Sequence, residues 1–281
     1  KITNKNIDIR NLKKLKKIFR DYKPNYVFHL AAQSLVKRSY IDPIYTFQTN
    51  SIGTLNILES LKNLKNKCTV ILITSDKSYK NLEIQRGYKE DDILGGTDPY
   101  SASKASAELI IKSYVKSYFQ KNDKISIGIA RAGNVIGGGD WSKNRLVPDC
   151  IKAWSYNKTV QIKNPNSTRP WQHVLEPLSG YLNLAMSLSE SAELHGEPFN
   201  FGPPADQNHS VGSLVTQMSE HWDRVHWQDV SQDGEGPYES GLLKLNCDKA
   251  QHQLKWRAIW NFEQTVKATV EWYRSFYEQP V

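Results

Sequence analysis

Three short runs of nearly unbroken apolar residues constrain this chain more than anything else in it. They are Tyr26-Val27-Phe28-His29-Leu30-Ala31-Ala32, Thr69-Val70-Ile71-Leu72-Ile73-Thr74 and Ile125 to Ala130. Such runs mark strands covered on both faces, as in a parallel sheet. Helical patterns lie between them. From Asn11 to Lys23, Leu12, Leu15, Ile18 and Phe19 share one face, and Pro24 ends the segment. Pro43 opens a second helix through Phe47, Ile52, Leu55, Ile57, Leu58 and Leu61, and a third starts near Tyr100. With Ile7 to Arg10 read as a strand end, strand and helix alternate. The pattern predicts an α/β fold built on a doubly wound parallel sheet. Ligands of such sheets bind beyond the carboxyl ends of the strands. Polar residues gather there: Gln33, Thr74 to Lys77, and Asn134.

Past residue 141 the alternation weakens. Lys143 to Tyr156 reads as a helix broken at Pro148, and Thr159 to Ile162 as a short strand. Glu176 to Ser189 reads as a helix, and Phe199 to Gly202 as a strand end. Two more helices, Val211 to Trp222 and Phe262 to Tyr277, are separated by extended pieces. The expected organisation is a sheet domain of residues 1–140, to which 169–195 return. Residues 141–168 and 196–281 form a smaller mixed α/β lobe that faces the substrate.

Composition removes several function classes. The net charge is +8, but the first 168 residues hold 29 Lys and Arg against 14 Asp and Glu, and the remainder 8 against 15. A basic first half invites a nucleic-acid reading, yet the lysines lie on solvated helices without interleaved stacking aromatics, so no nucleic acid is expected. No run approaches the ~20 apolar residues of a membrane span, and no membrane partner is expected. Cys68, Cys150 and Cys247 are scattered and odd in number, which fits a reduced, cytoplasmic protein. His221 and His226 lack a third partner, so no metal is expected.

The chemistry centres on Asp98-Pro99-Tyr100-Ser101-Ala102-Ser103-Lys104. Residues four apart lie one turn apart on one helix face. An ammonium beneath a phenol favours the phenolate, and such a tyrosine can take a proton from a sugar hydroxyl as hydride leaves the same carbon. Alone, the spacing also fits an ordinary surface helix.

Further stretches lift it above chance. His29-Leu30-Ala31-Ala32-Gln33, Thr74-Ser75-Asp76-Lys77-Ser78-Tyr79, Arg131 to Trp141 with its Gly-Gly-Gly-Asp-Trp, and Arg169-Pro170-Trp171-Gln172-His173-Val174 join the Tyr100/Lys104 segment. From Asp8 to about Trp272 the chain resembles the extended short-chain dehydrogenase/reductases. Within them it is similar to the nucleotide-sugar 4,6-dehydratases, in particular the CDP-glucose branch. The resemblance implies a Rossmann-like, NAD-binding sheet domain and a nucleotide-sugar lobe. It also implies a homodimer or homotetramer, formed by bundling the helices near residues 44–63 and 100–120. Family members open with a strand and a Gly-rich turn that receives the cofactor pyrophosphate. No such turn precedes Asp8. The expectation is therefore a sheet lacking its first strands, roughly 60 residues or two β-α units, with the Tyr26 strand left as an unpaired, aggregation-prone edge.

The implied reaction is the lyase-type dehydration of CDP-glucose to a 4-keto-6-deoxy sugar, in the service of deoxysugar and O-antigen synthesis. By resemblance, Tyr100 takes the C4 hydroxyl proton, Lys104 supports it, and Thr74 bonds the same oxygen. Hydride passes to NAD and returns to C6. Asp76 is the acid for the departing C6 hydroxyl, its carboxyl able to hold a proton if burial raises its pKa. Lys77 is either the C5 base or an ion-pair partner of Asp76. Asp8 and Ile9 are implied adenine contacts. Leu30, Ala31 and Ala32 line the cofactor, and Asn50 either joins them or is a polar helix position. Asn134, Arg145, Leu146, Val147 and Arg169 are implied substrate contacts. Arg169 suits a diphosphate because guanidinium bonds phosphate bidentately. Ser78 and Tyr238 depart from the branch pattern of Cys and His. An epimerase of the same superfamily, another nucleotide-sugar dehydratase, and an inactive fragment remain as alternatives.

Overall fold

The structure, a computed structural model, describes residues 2–204, 207–231 and 242–278. Helix α1 (Leu12–Tyr22) opens on the Asn11 side chain, which accepts from Lys14 N at 3.0 Å. It closes on Lys23 in the left-handed region, φ 45°, just before Pro24. Strand β1 (Tyr26–His29) leads to α2 (Val36–Ile41) and α3 (Pro43–Phe47). A π turn, Gln48–Ile52, joins α3 to α4 (Gly53–Leu61), and β2 (Cys68–Ile73) follows. Helix α5 (Pro99–Tyr114) precedes β3 (Ile125–Ala132).

The chain continues through β4 (Val135–Ile136), α6 (Leu146–Ser155), β5 (Val160–Ile162), β6 (Thr168–Arg169) and β7 (Gln172–His173). Helix α7 (Leu175–Glu190) and β8 (Pro198–Phe201) come next. Then follow β9 (His209–Ser210), α8 (Val211–Ser219), β10 (Trp227–Asp229), α9 (Asp248–Leu254) and α10 (Phe262–Glu278).

Two compact units result. One comprises Lys1–Lys80, Glu90–Arg131 and Tyr181–Phe199; the other comprises Asn81–Lys89, Ala132–Gly180 and Asn200–Val281. The main sheet has the order β1-β2-β3-β8, with β1–β2 and β2–β3 parallel. Residues alternate between its faces. Val70, Leu72, Ile127 and Ile129 meet Leu15 and Phe19 of α1, Leu58 and Leu61 of α4 and Ile111 of α5 in one core. On the opposite face Gly128 lies under α7, where an added Cβ would stand 3.1 Å from Leu184 Cδ2 and 3.3 Å from Leu188 Cδ2. Helices on both faces make this the expected doubly wound α/β sheet. The second unit has its own core, in which Trp154, Ile151, Leu214, Met218, Val266 and Tyr273 are almost fully buried.

Four local expectations need correction. Ile7 to Arg10 is not strand: the Asp8 carboxylate accepts from Arg10 N at 2.8 Å and the Asp8 carbonyl from Asn11 N at 2.9 Å, folding the segment into a turn. The Tyr26 strand, at the sheet edge as expected, is not covered on both faces, with Tyr26 51% and Phe28 36% exposed, and it ends at His29 rather than Ala32. Helix α6 is unbroken, because Pro148 falls in its first turn, where the N–H has no intrahelical partner. Helix α9 occupies a stretch read as extended.

Candidate active site

Three buried residues of α5 stand one turn apart: Tyr100, Lys104 and Glu108. Their helix is fixed at its start. The Asp98 carboxylate accepts from Ser101 N at 3.0 Å and Ser101 Oγ at 2.5 Å, and Pro99 fills the first helical position. Lys104 Nζ donates to the Ile73 carbonyl at 3.4 Å, at the carboxyl end of β2. Burial pulls the Lys104 ammonium down to about 8, opposed by the charge on Glu108. It remains largely protonated at neutral pH.

The residues after β2 complete the cluster. Thr74 Oγ1 donates to Glu108 Oε1 at 2.7 Å. Ser75 Oγ donates to Asp76 Oδ1 at 3.0 Å and accepts from Lys77 N at 3.2 Å, closing a single 3-10 turn over Asp76–Ser78. Asp76 is buried and Lys77 half-buried. Burial pushes the Tyr181 hydroxyl well above its ordinary value, with the charges of Asp76 and Tyr100 adding to the shift. Thr74, Asp76, Tyr100 and Lys104, named from the sequence, are thus gathered in the first unit.

The same unit carries the residues expected at the cofactor. Asp8 is half-exposed, and the Arg10 guanidinium beside it holds its carboxyl down at about 2. Ile9 is pinned to α4: its carbonyl accepts from Asn56 Nδ2 at 3.0 Å, and a Cβ on Gly53 would stand 2.5 Å from its Cδ1. Asp8, Arg10, Asn11, Leu12, Gln48 and Ile52 line an open cavity of about 650 Å³. Leu30 and Ala31 are exposed just past β1, and Ala32 is half-exposed. His29 is buried with Nε2 3.1 Å from Thr54 Oγ1. Burial, helped by Lys104, holds its imidazole down at about 4, so it is neutral. Asn50 is bonded within the fold. Its two amide protons go to the Gln33 carbonyl (3.0 Å) and Ser103 Oγ (2.9 Å), and its oxygen accepts from Gln33 N at 2.8 Å. It ties the loop after β1 to α5.

The second unit holds the other named residues. Asn134 is half-buried, with its carbonyl accepting from Gln172 N at 3.1 Å. Arg145 precedes α6 and reaches Asp140 Oδ2 at 3.3 Å. Leu146 packs on the core and Val147 lies inside it, 4% exposed. Arg169, in β6, donates from Nη1 to the Thr168 carbonyl at 2.7 Å. Tyr238 lies outside the described residues.

A family model described as GDP-mannose 4,6 dehydratase matches residues 1–269. The chain belongs to the GDP-mannose 4,6 dehydratase family. It is 44% identical over 275 residues to the CDP-glucose 4,6-dehydratase of Salmonella typhimurium, covering 96% of this chain and 76% of that protein. Similarity to the dTDP-glucose 4,6-dehydratase of Haemophilus influenzae is 26%, over 95% of this chain and 81% of that one. Among solved structures, a UDP-glucose 4-epimerase with UDP-glucose from Thermotoga maritima shares the fold at TM-score 0.83. The two are 24% identical, with 97% of this chain and 84% of that one covered. The dTDP-glucose 4,6-dehydratase of Bacillus anthracis in complex with NAD aligns at TM-score 0.77 and 22% identity, over 96% and 78%.

The buried groups beside Thr74 and Asp76 that the sequence reading did not single out are Glu108, Arg131 and Tyr181. Glu108 continues the four-residue spacing of Tyr100 and Lys104, which is a readable signal. Arg131 meets it from β3, 23 positions away, and no spacing rule reaches that far. Among the described residues, no group of three or more His, Cys, Asp or Glu could hold a metal ion, and no helix is long and apolar enough to cross a membrane.

Proposed function

We propose that this chain dehydrates CDP-glucose to the 4-keto-6-deoxy sugar, with NAD as a resident cofactor. The observation that carries the reading is the buried carboxyl of Asp76, held by Ser75 Oγ at 3.0 Å in the turn after β2, the strand whose Ile73 carbonyl tethers Lys104 at 3.4 Å. A phenol over a buried ammonium suffices for oxidation at C4. An added carboxyl is what eliminating the C6 hydroxyl requires. The 44% identity to the Salmonella typhimurium enzyme supports CDP-glucose as the substrate.

The residues present suit a dinucleotide. The open cavity beside Asp8 and Gln48 presents a carboxylate and an amide, fitting partners for an adenine amino group. Small side chains at Ala31 and Ala32 leave the backbone after β1 approachable. Bound NAD supplies a reversible two-electron acceptor, so the sugar is oxidised and then reduced with no net redox change. Tyr100 takes the C4 hydroxyl proton, and Lys104, tethered to Ile73, holds the charge that makes the phenolate accessible. Asp76 delivers a proton to the departing C6 hydroxyl, and Lys77 is assigned the C5 proton. Asn134, Arg145 and Arg169 are assigned to the nucleoside diphosphate.

We also infer a cytoplasmic homo-oligomer that feeds deoxysugar and O-antigen synthesis. Free Cys68, Cys150 and Cys247 support a reducing compartment. Exposed Ile52 and Leu109, on the helices that would form the bundle, support self-association.

Incubation with NAD and each of CDP-, dTDP-, GDP- and UDP-hexoses, read by mass spectrometry, tests the proposal. Loss of one water from CDP-glucose is expected. An isomerised product without water loss would assign the chain to epimerisation, and no conversion of any sugar would overturn the enzymatic reading.

A further inference from the structure

Beneath Thr74 lies a charged network that the steps above do not use. Glu108 and Arg131 are both fully buried. Arg131 Nε donates to Glu108 Oε1 at 2.7 Å and its Nη2 donates to Oε2, a two-pronged pair. Arg131 Nη1 donates to the Tyr79 hydroxyl at 2.6 Å and to the Glu90 carbonyl at 3.1 Å, with the guanidinium 4.6 Å from the Tyr79 ring centroid. All three nitrogens of the guanidinium are engaged, which holds it in place.

A guanidinium is always charged, and a carboxylate bound to one in this way is an acceptor only. The 2.7 Å contact between Thr74 Oγ1 and Glu108 Oε1 can then be made in one sense, with Thr74 giving its single proton. The other acceptor near that hydroxyl, the Ala130 carbonyl at 3.5 Å, is longer and neutral. Towards the substrate Thr74 is left with lone pairs alone.

We propose that Glu108, clamped by Arg131, is a positioning residue that fixes the polarity of Thr74, making it an acceptor for a hydroxyl of the bound sugar. Resting on the dehydratase reading, that hydroxyl is a neighbour of the one on C4, because the single C4 proton is the one Tyr100 takes; Thr74 seats the ring so that the C4 proton stays aimed at Tyr100. A threonine free to rotate would turn its proton towards that hydroxyl part of the time and lose the hydrogen bond that seats the ring. Glu108 has a second effect through Lys104. The groups facing Lys104 are Glu108 and Tyr100 on its own helix, neutral His29 on β1 and the Ile73 carbonyl on β2. Glu108 is the anion that opposes loss of the Lys104 proton.

The test is a double-mutant cycle in the NAD-loaded enzyme with Glu108→Gln and Thr74→Val. In the Thr74 background Glu108→Gln is expected to lower kcat by about tenfold to a hundredfold, the range for a hydrogen bond to a charged group, with KM nearly unchanged. In the Thr74→Val background the same change should cost less than about threefold, because the coupled group is gone. The alkaline limb of kcat moves to lower pH in Glu108→Gln, and Glu108→Asp restores part of the rate. Equal losses in both backgrounds overturn the proposal. Should Glu108→Gln fold poorly, Glu108→Gln combined with Arg131→Met removes the unpaired cation and serves in its place. A separate arm needs no turnover. In threonine-labelled protein, the Thr74 hydroxyl proton should be visible by NMR as a slowly exchanging signal, lost in Glu108→Gln. Its absence from the native protein overturns the assigned polarity even if the native enzyme turns over CDP-glucose. An inactive native enzyme that shows the signal fails the dehydratase reading alone.

Discussion

Lys104 Nζ lies 3.4 Å from the carbonyl of Ile73, so the cation beneath Tyr100 is tethered to the sheet and not only to the helix that carries both. The ammonium is held at about 8, far below its ordinary value, by burial. Two pH dependences of opposite sign follow. Activity should fall as pH rises past about 8, because the neutral amine no longer supports a phenolate. Stability behaves otherwise. Between about 8 and the ordinary lysine value the unfolded chain binds the extra proton, so this group's contribution to stability rises with pH. Paired kcat and Tm profiles, compared with Lys104→Met, check both; parallel falls in the two profiles contradict the assignment.

His29 is depressed to about 4 by burial. Between its ordinary value and about 4 the unfolded chain holds the proton and the folded one does not, so stability is lost as pH falls through that window. The full contribution is about 3 kcal/mol. His29→Gln should flatten the acid side of a denaturation-against-pH curve, and an unchanged slope would show that other groups govern it.

Arg131→Met should cost about 3–5 kcal/mol, because it strands the buried Glu108 carboxylate. Adding Glu108→Gln should recover most of that loss. Urea unfolding of the single and double variants measures both numbers.

Gly128→Val should destabilise by about 1–3 kcal/mol through overpacking. Its Cβ meets Leu184 and Leu188 at 3.1 to 3.3 Å. The companion Leu184→Ala should relieve part of the cost, which a thermal melt of the two variants reads.

Asp76→Asn should separate the two halves of the chemistry. Oxidation at C4 continues, while loss of the C6 hydroxyl slows by about 10²–10⁴-fold, the usual contribution of a general acid. A 4-keto hexose that keeps its C6 oxygen, seen by mass spectrometry, is the expected product. Lys77→Ala, followed by deuterium uptake at C5, tests the base; uptake at the native rate removes Lys77 from that role.

What could be read from sequence follows burial. Strands β2 and β3 are continuous apolar runs because α1, α4 and α5 cover one face and α7 the other. Strand β1 has the same composition, yet Tyr26 and Phe28 are exposed. Periodicity cannot separate an edge from a centre, since neighbour identity is not local information. The proline of α6 misled because its effect depends on position within the first turn. In the site, Tyr100 and Lys104 announced themselves by helical spacing. Glu108 shared that spacing but looked like a solvated charge until Arg131 and Thr74 were seen around it. Asn50 was legible as a polar helix residue and not as a clamp, since both groups it holds lie elsewhere in the chain.

That clamp has a dynamic consequence. The loop at Gln33 and the first turns of α5 share one side chain, and Ser51 Oγ adds a bond to the Ser103 carbonyl at 3.0 Å. Neither can open without breaking the same hydrogen bonds. The cofactor-side loop and the helix bearing Tyr100 therefore form one cooperative opening unit, and the Gln33 amide exchanges with solvent at the pace of that helix rather than at the pace of a surface loop.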